Sequence, residues 1–129
     1  MKLLLDTNAL IWLLEDSDRL GPAARTAILD DANSLLVSTV SLFEMAIKIR
    51  IGKLALDLSE VLARLQESDV GRLDIEDRHC LAMAKIEAAP PHRDPFDLML
   101  VAQAISDGLT IISGDAVMRH YPVTLISAD

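Results

Sequence analysis

Short, nearly unbroken apolar runs recur along this chain at intervals that leave room for a helix between them. KLLLD (2–6), SLLVS (34–38) and LTIIS (109–113) carry apolar side chains at consecutive positions, not alternate ones. A strand with one wet face alternates, so these three read as strands covered on both faces of a parallel sheet. GRLDI (71–75) and VTLIS (123–127) complete a set of five. Parallel neighbours need a crossover, usually a helix, and the intervening stretches supply one. Helices are expected over 8–15, 22–32, 40–51, 59–68, 77–88 and 95–107, with a last turn near 115–119. Pro22 suits a first helical turn, Ser59 is a candidate N-cap, and Gly52 and Gly108 are stop signals. The expectation is a three-layer α/β domain with a central, mainly parallel five-stranded sheet flanked by helices.

Nothing divides that domain. The single Pro-rich patch, AAPPHRDPFD (88–97), is too short for a linker and reads as a loop entering a helix, so residues 1–129 form one unit. No apolar run nears the ~20 residues a membrane span needs. The opening segment, with Asp6 and Glu15, does not read as a signal peptide. One cysteine, Cys80, allows no internal disulfide, which fits a cytoplasmic setting. The net charge of −8 argues against holding nucleic acid by bulk electrostatics, yet it suits a concentrated acidic site that binds a cation.

Ligands of such sheets sit beyond the carboxyl ends of the strands. Asp6, the last residue of the first strand run, falls there, and Asp115 follows the fourth run in LTIISGDAVM. Glu44, in STVSLFEMAIKIRIGKL, stands at the edge of an apolar stripe formed by Val40, Phe43, Ile47 and Ile51, with Lys48 one turn on. In HRDPFDLMLVAQA, Pro95 at the first helical position makes Asp94 the N-cap, and Asp97 opens a helix apolar nearly all round. Each acid has an ordinary explanation: a cap, a surface Glu–Lys pair, or a complement to a helix dipole. If strands two, one and four are neighbours, however, these acids converge at one edge. Carboxylates sharing a pocket repel and protonate unless a cation is present. Oxygen ligands without a cysteine–histidine pattern point to Mg²⁺ or Mn²⁺.

LLLDTNALIWLL, SLFEMAIKIRIGKL, HRDPFDLMLVAQA and TIISGD together resemble, in order and spacing from Met1 to about Tyr121, a PIN domain. More narrowly, they resemble the VapC-type toxins of toxin–antitoxin pairs. By that resemblance Asp6, Glu44, Asp97 and Asp115 match the family's metal-binding acids. Asp94 belongs to an Asp-Pro-Phe-Asp variant and joins the metal shell or only caps its helix. Two departures are Leu98, where that branch usually has Arg, and Asn8, where it usually has His. The resemblance implies an Mg²⁺- or Mn²⁺-dependent endoribonuclease, with metal-activated water attacking a phosphodiester. Thr7 and Ser113, beside two ligands, are candidates for hydrogen bonds that orient them. Lys48, Arg50, Lys53, Arg93 and Arg119 are candidates for RNA phosphate contacts, against an ordinary role as solvated surface charge. The resemblance also implies an inhibitory antitoxin partner and a homodimer.

His79, Cys80 and His120 read as residues outside any metal cluster, the first two as ordinary helix residues. His92 is read as ordering the loop before Asp94, and Trp12, Met83 and Met99 as packing. A haloacid dehalogenase-type phosphatase needs a second Asp where this chain has Asn8. A response-regulator receiver needs a lysine after strand five, which ends ISAD. The competing class is a catalytically silent PIN-fold module that binds RNA or protein.

Overall fold

The computed structural model describes residues 1–87 and 94–129. Five strands form one sheet in the order β3-β2-β1-β4-β5: β1 (Lys2–Leu5), β2 (Ser34–Ser38), β3 (Gly71–Leu73), β4 (Thr110–Ser113) and β5 (Thr124–Ser127). Every pairing is parallel; Leu5 stands opposite Val37 on one side and Ile112 on the other. The helices are α1 (Thr7–Leu14), α2 (Pro22–Leu29), α3 (Thr39–Arg50), α4 (Leu58–Glu67), α5 (Asp77–Ala84) and α6 (Pro95–Asp107), with a 3₁₀ turn at Ala116–His120. Among the described residues, no helix is long and apolar enough to cross a membrane.

Consecutive apolar residues in the strands are explained by two cores. In β1, Leu3 and Leu5 face one core and Leu4 the other; in β4, Ile112 and Ile111 divide in the same way. The first core takes Leu10 from α1, Ala24 from α2, and Val61 and Leu65 from α4. The second takes Leu100, Val101 and Ala104 from α6, with Met118 and Tyr121. The helices therefore form outer layers on both sides of the sheet. α6 ends where Gly108 adopts φ +67°, a left-handed cap that turns the chain into β4.

Several boundaries shift from the sequence reading: β3 stops at Leu73, two residues early, and four other shifts have a visible local cause. Asp6 is the N-cap of α1, one residue past the end of β1. α4 is capped by Asp57, whose carboxylate accepts from the Ser59 N–H at 2.9 Å, not by Ser59. α2 stops at Leu29 because Asn33 donates its side-chain amide to the Ala27 carbonyl, closing the last turn. α5 stops at Ala84, after which Ile86 folds back onto the second core.

The expected apolar stripe of α3 coincides with its buried face only in part, at Val40. Phe43 is 62% exposed and Ile51 52% exposed, while Val40, Ser41, Glu44 and Met45 are buried. α3 straddles the two cores, sending Met45 into one and Val40 into the other. The polar groups between them need hydrogen-bonding partners, and only the inward face supplies these.

A cavity lined by five carboxylates

β1, β2 and β4 are neighbours, so the chain leaves all three at one edge of the sheet. Around a cavity of about 150 Å³ at that edge stand Asp6, Thr7, Asn8, Glu44, Lys48, Asp94, Asp97 and Asp115. Five carboxylates thus face one ammonium group. A larger cavity of about 570 Å³, between α5, α6 and the 3₁₀ turn, is mostly apolar and holds no acid cluster. The acids converge on the smaller one.

Each acid is placed by its local structure. Asp6 Oδ1 accepts from the Ala9 N–H at 2.8 Å, and the Asp6 N–H donates to the Ile112 carbonyl at 3.0 Å. Asp115 Oδ1 accepts from the Val117 N–H at 2.9 Å, heading the 3₁₀ turn. Asp94 Oδ1 accepts from the Phe96 and Asp97 N–H groups at 2.8 and 3.2 Å, and Asp97 follows, half-buried, in the first turn of α6. Glu44 is buried on α3, and both its oxygens are engaged. Thr7 Oγ1 donates to Oε1 at 2.6 Å, and Lys48 Nζ lies 2.8 Å from Oε2. Ser41 Oγ lies 3.1 Å from Thr7 Oγ1. A hydroxyl has one proton to give; with Thr7's on the carboxylate, Ser41 donates to Thr7.

The two hydroxyl candidates therefore act across elements. Thr7 holds Glu44, 37 residues away, rather than its neighbour Asp6. Ser113 Oγ accepts the Asp115 N–H at 3.0 Å and hydrogen-bonds the Asp6 carboxylate, linking two of the acids. Burial pushes the Asp6 carboxyl above the ordinary carboxylate range. The bonds from Ser113 and Ala9 oppose that rise, and the charges of Glu44 and Asp115 add to it.

Hard oxygen donors around a buried, like-charged centre fit a divalent cation in chemistry. Among the described residues, no three acids stand as a ready-made ligand set, and Glu44 is engaged with Thr7 and Lys48. The arrangement holds a cation only if some of these carboxylates adjust.

Of the basic candidates among the described residues, Lys48 alone lines this cavity. Arg50 and Lys53 are exposed at the far end of α3 and in the turn after it. Arg119 lines a neighbouring cavity of about 340 Å³ that shares Asp115 with this one. Arg93 and His92 lie outside the described residues. Sequence reasoning missed Ser41, although it stands three residues before Glu44 in SLFE, and it set Asn8 aside as a departure. His79 is a helix residue, as read, but it also has a structural role that the sequence did not show. That ring is fully buried; Nδ1 accepts the Glu76 N–H at 3.0 Å, which leaves the proton on Nε2, 3.0 Å from Asp107 Oδ2. Arg78 forks onto the same carboxylate at 2.9 and 3.1 Å, so the group staples α5 to α6. Cys80 is exposed, as is His120.

Comparison with known proteins agrees with this fold. The PIN domain family model matches residues 3–123, so the chain belongs to the PIN domain family. No curated protein matches it. Among solved structures, it is similar to VapBC2 from Rickettsia felis bound to a promoter DNA fragment, at 16% identity and TM-score 0.74 over 100% of both chains. It is similar to DNA-bound VapBC from Salmonella typhimurium, at 19% identity and TM-score 0.70 over 98% of this chain and 97% of that one. VapBC-1 from nontypeable Haemophilus influenzae gives 20% identity and TM-score 0.70 over 98% of each.

Proposed function

We propose that this chain is the toxin of a toxin–antitoxin pair and acts as an Mg²⁺- or Mn²⁺-dependent endoribonuclease. One observation carries the reading: five carboxylates from the exits of β1 and β4, from α3 and from the start of α6 line a single cavity around the buried Asp6. Excess negative charge of that density resists an RNA phosphate unless a cation intervenes. Membership of the PIN family supports nuclease chemistry. The likeness to VapBC complexes supports an antitoxin as partner.

Asp6, Glu44, Asp97 and Asp115 would hold the metal, with Asp94 at the rim. When bound there, the metal supplies activated water for in-line attack on a phosphodiester and offsets the developing charge. Thr7 fixes the Glu44 carboxylate through its hydroxyl, and Ser113 fixes Asp6; both hold a ligand oxygen in place before metal or RNA arrives. Lys48 at the cavity, with Arg50, Lys53 and Arg93 further out, would meet the phosphates on either side of the scissile bond. The antitoxin would silence the enzyme by setting a basic side chain among the acids. The toxin works in the cytoplasm as a homodimer.

The test is incubation of antitoxin-free protein with a structured RNA mixture in Mn²⁺ or Mg²⁺, then in EDTA, beside Asp6→Asn. Metal-dependent cutting that is lost in the variant is the expected result. RNA binding that is indifferent to EDTA, with no cutting, would replace the enzyme by a silent PIN-fold binding module.

A further inference from the structure

Lys48 occupies the place in the acid cavity where positive charge is needed, and its partner is one of the acids proposed to hold the metal. Its Nζ lies 2.8 Å from Glu44 Oε2, while Thr7 holds Oε1. Glu44 is buried and Lys48 only partly so, on consecutive turns of one helix. Lys48 is the only basic side chain at the cavity among the described residues. Among the described residues, no three acids there stand as a ready ligand set. A buried carboxylate without a counter-ion is costly, so the metal-free protein needs this ammonium. A divalent ion held by Glu44 would supply the positive charge that Lys48 supplies in its absence.

We propose that Lys48 is a resident counter-ion that competes with the divalent metal for Glu44 and is displaced when metal binds. The inference rests on the metal-site reading above and adds to it a residue that sets metal affinity. The long flexible stem of lysine suits the exchange: the head can leave Glu44 for solvent or for a substrate phosphate while the helix stays in place.

The experiment is calorimetric titration of Mn²⁺ into wild type, Lys48→Met, Glu44→Gln and the double variant. A unit charge at contact distance in a solvent-lapped cavity is worth about one tenfold step in an equilibrium constant. Lys48→Met is therefore expected to tighten Mn²⁺ binding about tenfold. In the Glu44→Gln background the same change should alter affinity less than about twofold, because the contested oxygen has lost its charge. Equal tightening in both backgrounds overturns the proposal, since Lys48 would then act as diffuse charge. Unchanged or weaker binding in Lys48→Met also overturns it.

Should Glu44→Gln bind too weakly to titrate, the wild-type crystal structure with Mn²⁺ decides. A Lys48 Nζ moved beyond hydrogen-bond reach of a metal-bound Glu44 supports displacement. An intact pair beside the metal refutes it. Absence of Mn²⁺ binding in wild type and Lys48→Met alike removes the metal-site reading itself, and this proposal with it.

Discussion

Replacing Thr7 with valine should destabilise the metal-free protein by about 1–2 kcal/mol. The starting point is the 2.6 Å contact from Thr7 Oγ1 to Glu44 Oε1, in the short range of charge-assisted O–H···O⁻ bonds. Removing a donor from a charged partner costs about 1.5–3 kcal/mol. The lower end applies, because Lys48 stays on Oε2 and the cavity beside Glu44 admits water. Valine keeps the outline of threonine, so no hole opens in a site where Thr7 is 4% exposed. Ser41 loses its acceptor as well, which prevents the cost from vanishing. For a chain of this length each kcal/mol is worth about 3–5 °C, giving a fall in Tm of about 3–10 °C. Urea and thermal unfolding in EDTA at pH 7 measure it. Thr7→Ser is the control: it keeps the hydroxyl, loses one methyl, and should cost about 1 kcal/mol or less. A Thr7→Val change within ~0.3 kcal/mol of wild type, or a Thr7→Ser change costlier than Thr7→Val, refutes the claim that this hydroxyl holds the Glu44 carboxylate.

Three further perturbations probe other parts of the fold. Asp6→Asn should raise the Tm in EDTA at pH 7, by the equivalent of about 0.5–2 kcal/mol, while removing metal binding. Because burial raises Asp6 in the folded state, that state holds more protons than the unfolded chain between the ordinary 3.8 and the raised value. Wild-type stability therefore falls as pH rises through that window, and the advantage of Asp6→Asn should fade on acidification towards 3.8; a loss of Tm at pH 7 contradicts the argument. Asp107 shows the opposite sign: the Arg78 fork holds its carboxyl below the ordinary range, burial opposes this, and the His79 bond adds to the lowering. Its contribution is present above 3.8 and lost below, so Tm curves of wild type and Asp107→Asn should converge as pH falls through 4; parallel curves would show that the staple carries no charge-dependent stability. Gly108→Ala meets no neighbour within 4 Å, so only its φ of +67° opposes the methyl. The expected cost is about 1 kcal/mol by chemical denaturation, and no cost would mean that the left-handed cap is dispensable.

The doubly buried strands were legible because two covered faces leave no polar positions: Leu3, Leu4 and Leu5 alternate between two cores, and the run itself reports that. The meeting of the acids was legible only conditionally. It required β2, β1 and β4 to be neighbours, which no local pattern states, and the observed strand order supplies that condition. The buried face of α3 was legible only in part. Periodicity weighs apolar residues, and it picked Phe43 and Ile51; it does not weigh a carboxylate's need for Thr7, which lies 37 residues back in the chain. The partnership of His79 with Asp107 spans 28 residues and hides for the same reason. Asp57 and Ser59 were both chemically able to cap α4, and the turn geometry chose the first.

The ordinary and the functional explanations of the acids are not rivals. Asp6, Asp94 and Asp115 each cap a helix or turn, and in all three the cap bonds are made by Oδ1. A cap of that kind fixes the rotamer of the carboxylate and leaves its second oxygen outside the cap. Three carboxylates are thereby oriented by backbone N–H groups, which do not move away as a side-chain partner can. Glu44 has no such backbone anchor; Thr7 and Lys48 hold it instead. It follows that capping should be separable from ligation at Asp6. Asparagine keeps the Oδ1 acceptor and with it the cap, but surrenders the charge. Alanine surrenders both. Asp6→Asn should therefore lose metal while gaining stability in EDTA, and Asp6→Ala should lose metal and give back about 1 kcal/mol of that gain through the missing cap. If the two variants unfold at the same urea concentration, the bond to Ala9 is a consequence of the fold and not one of its supports.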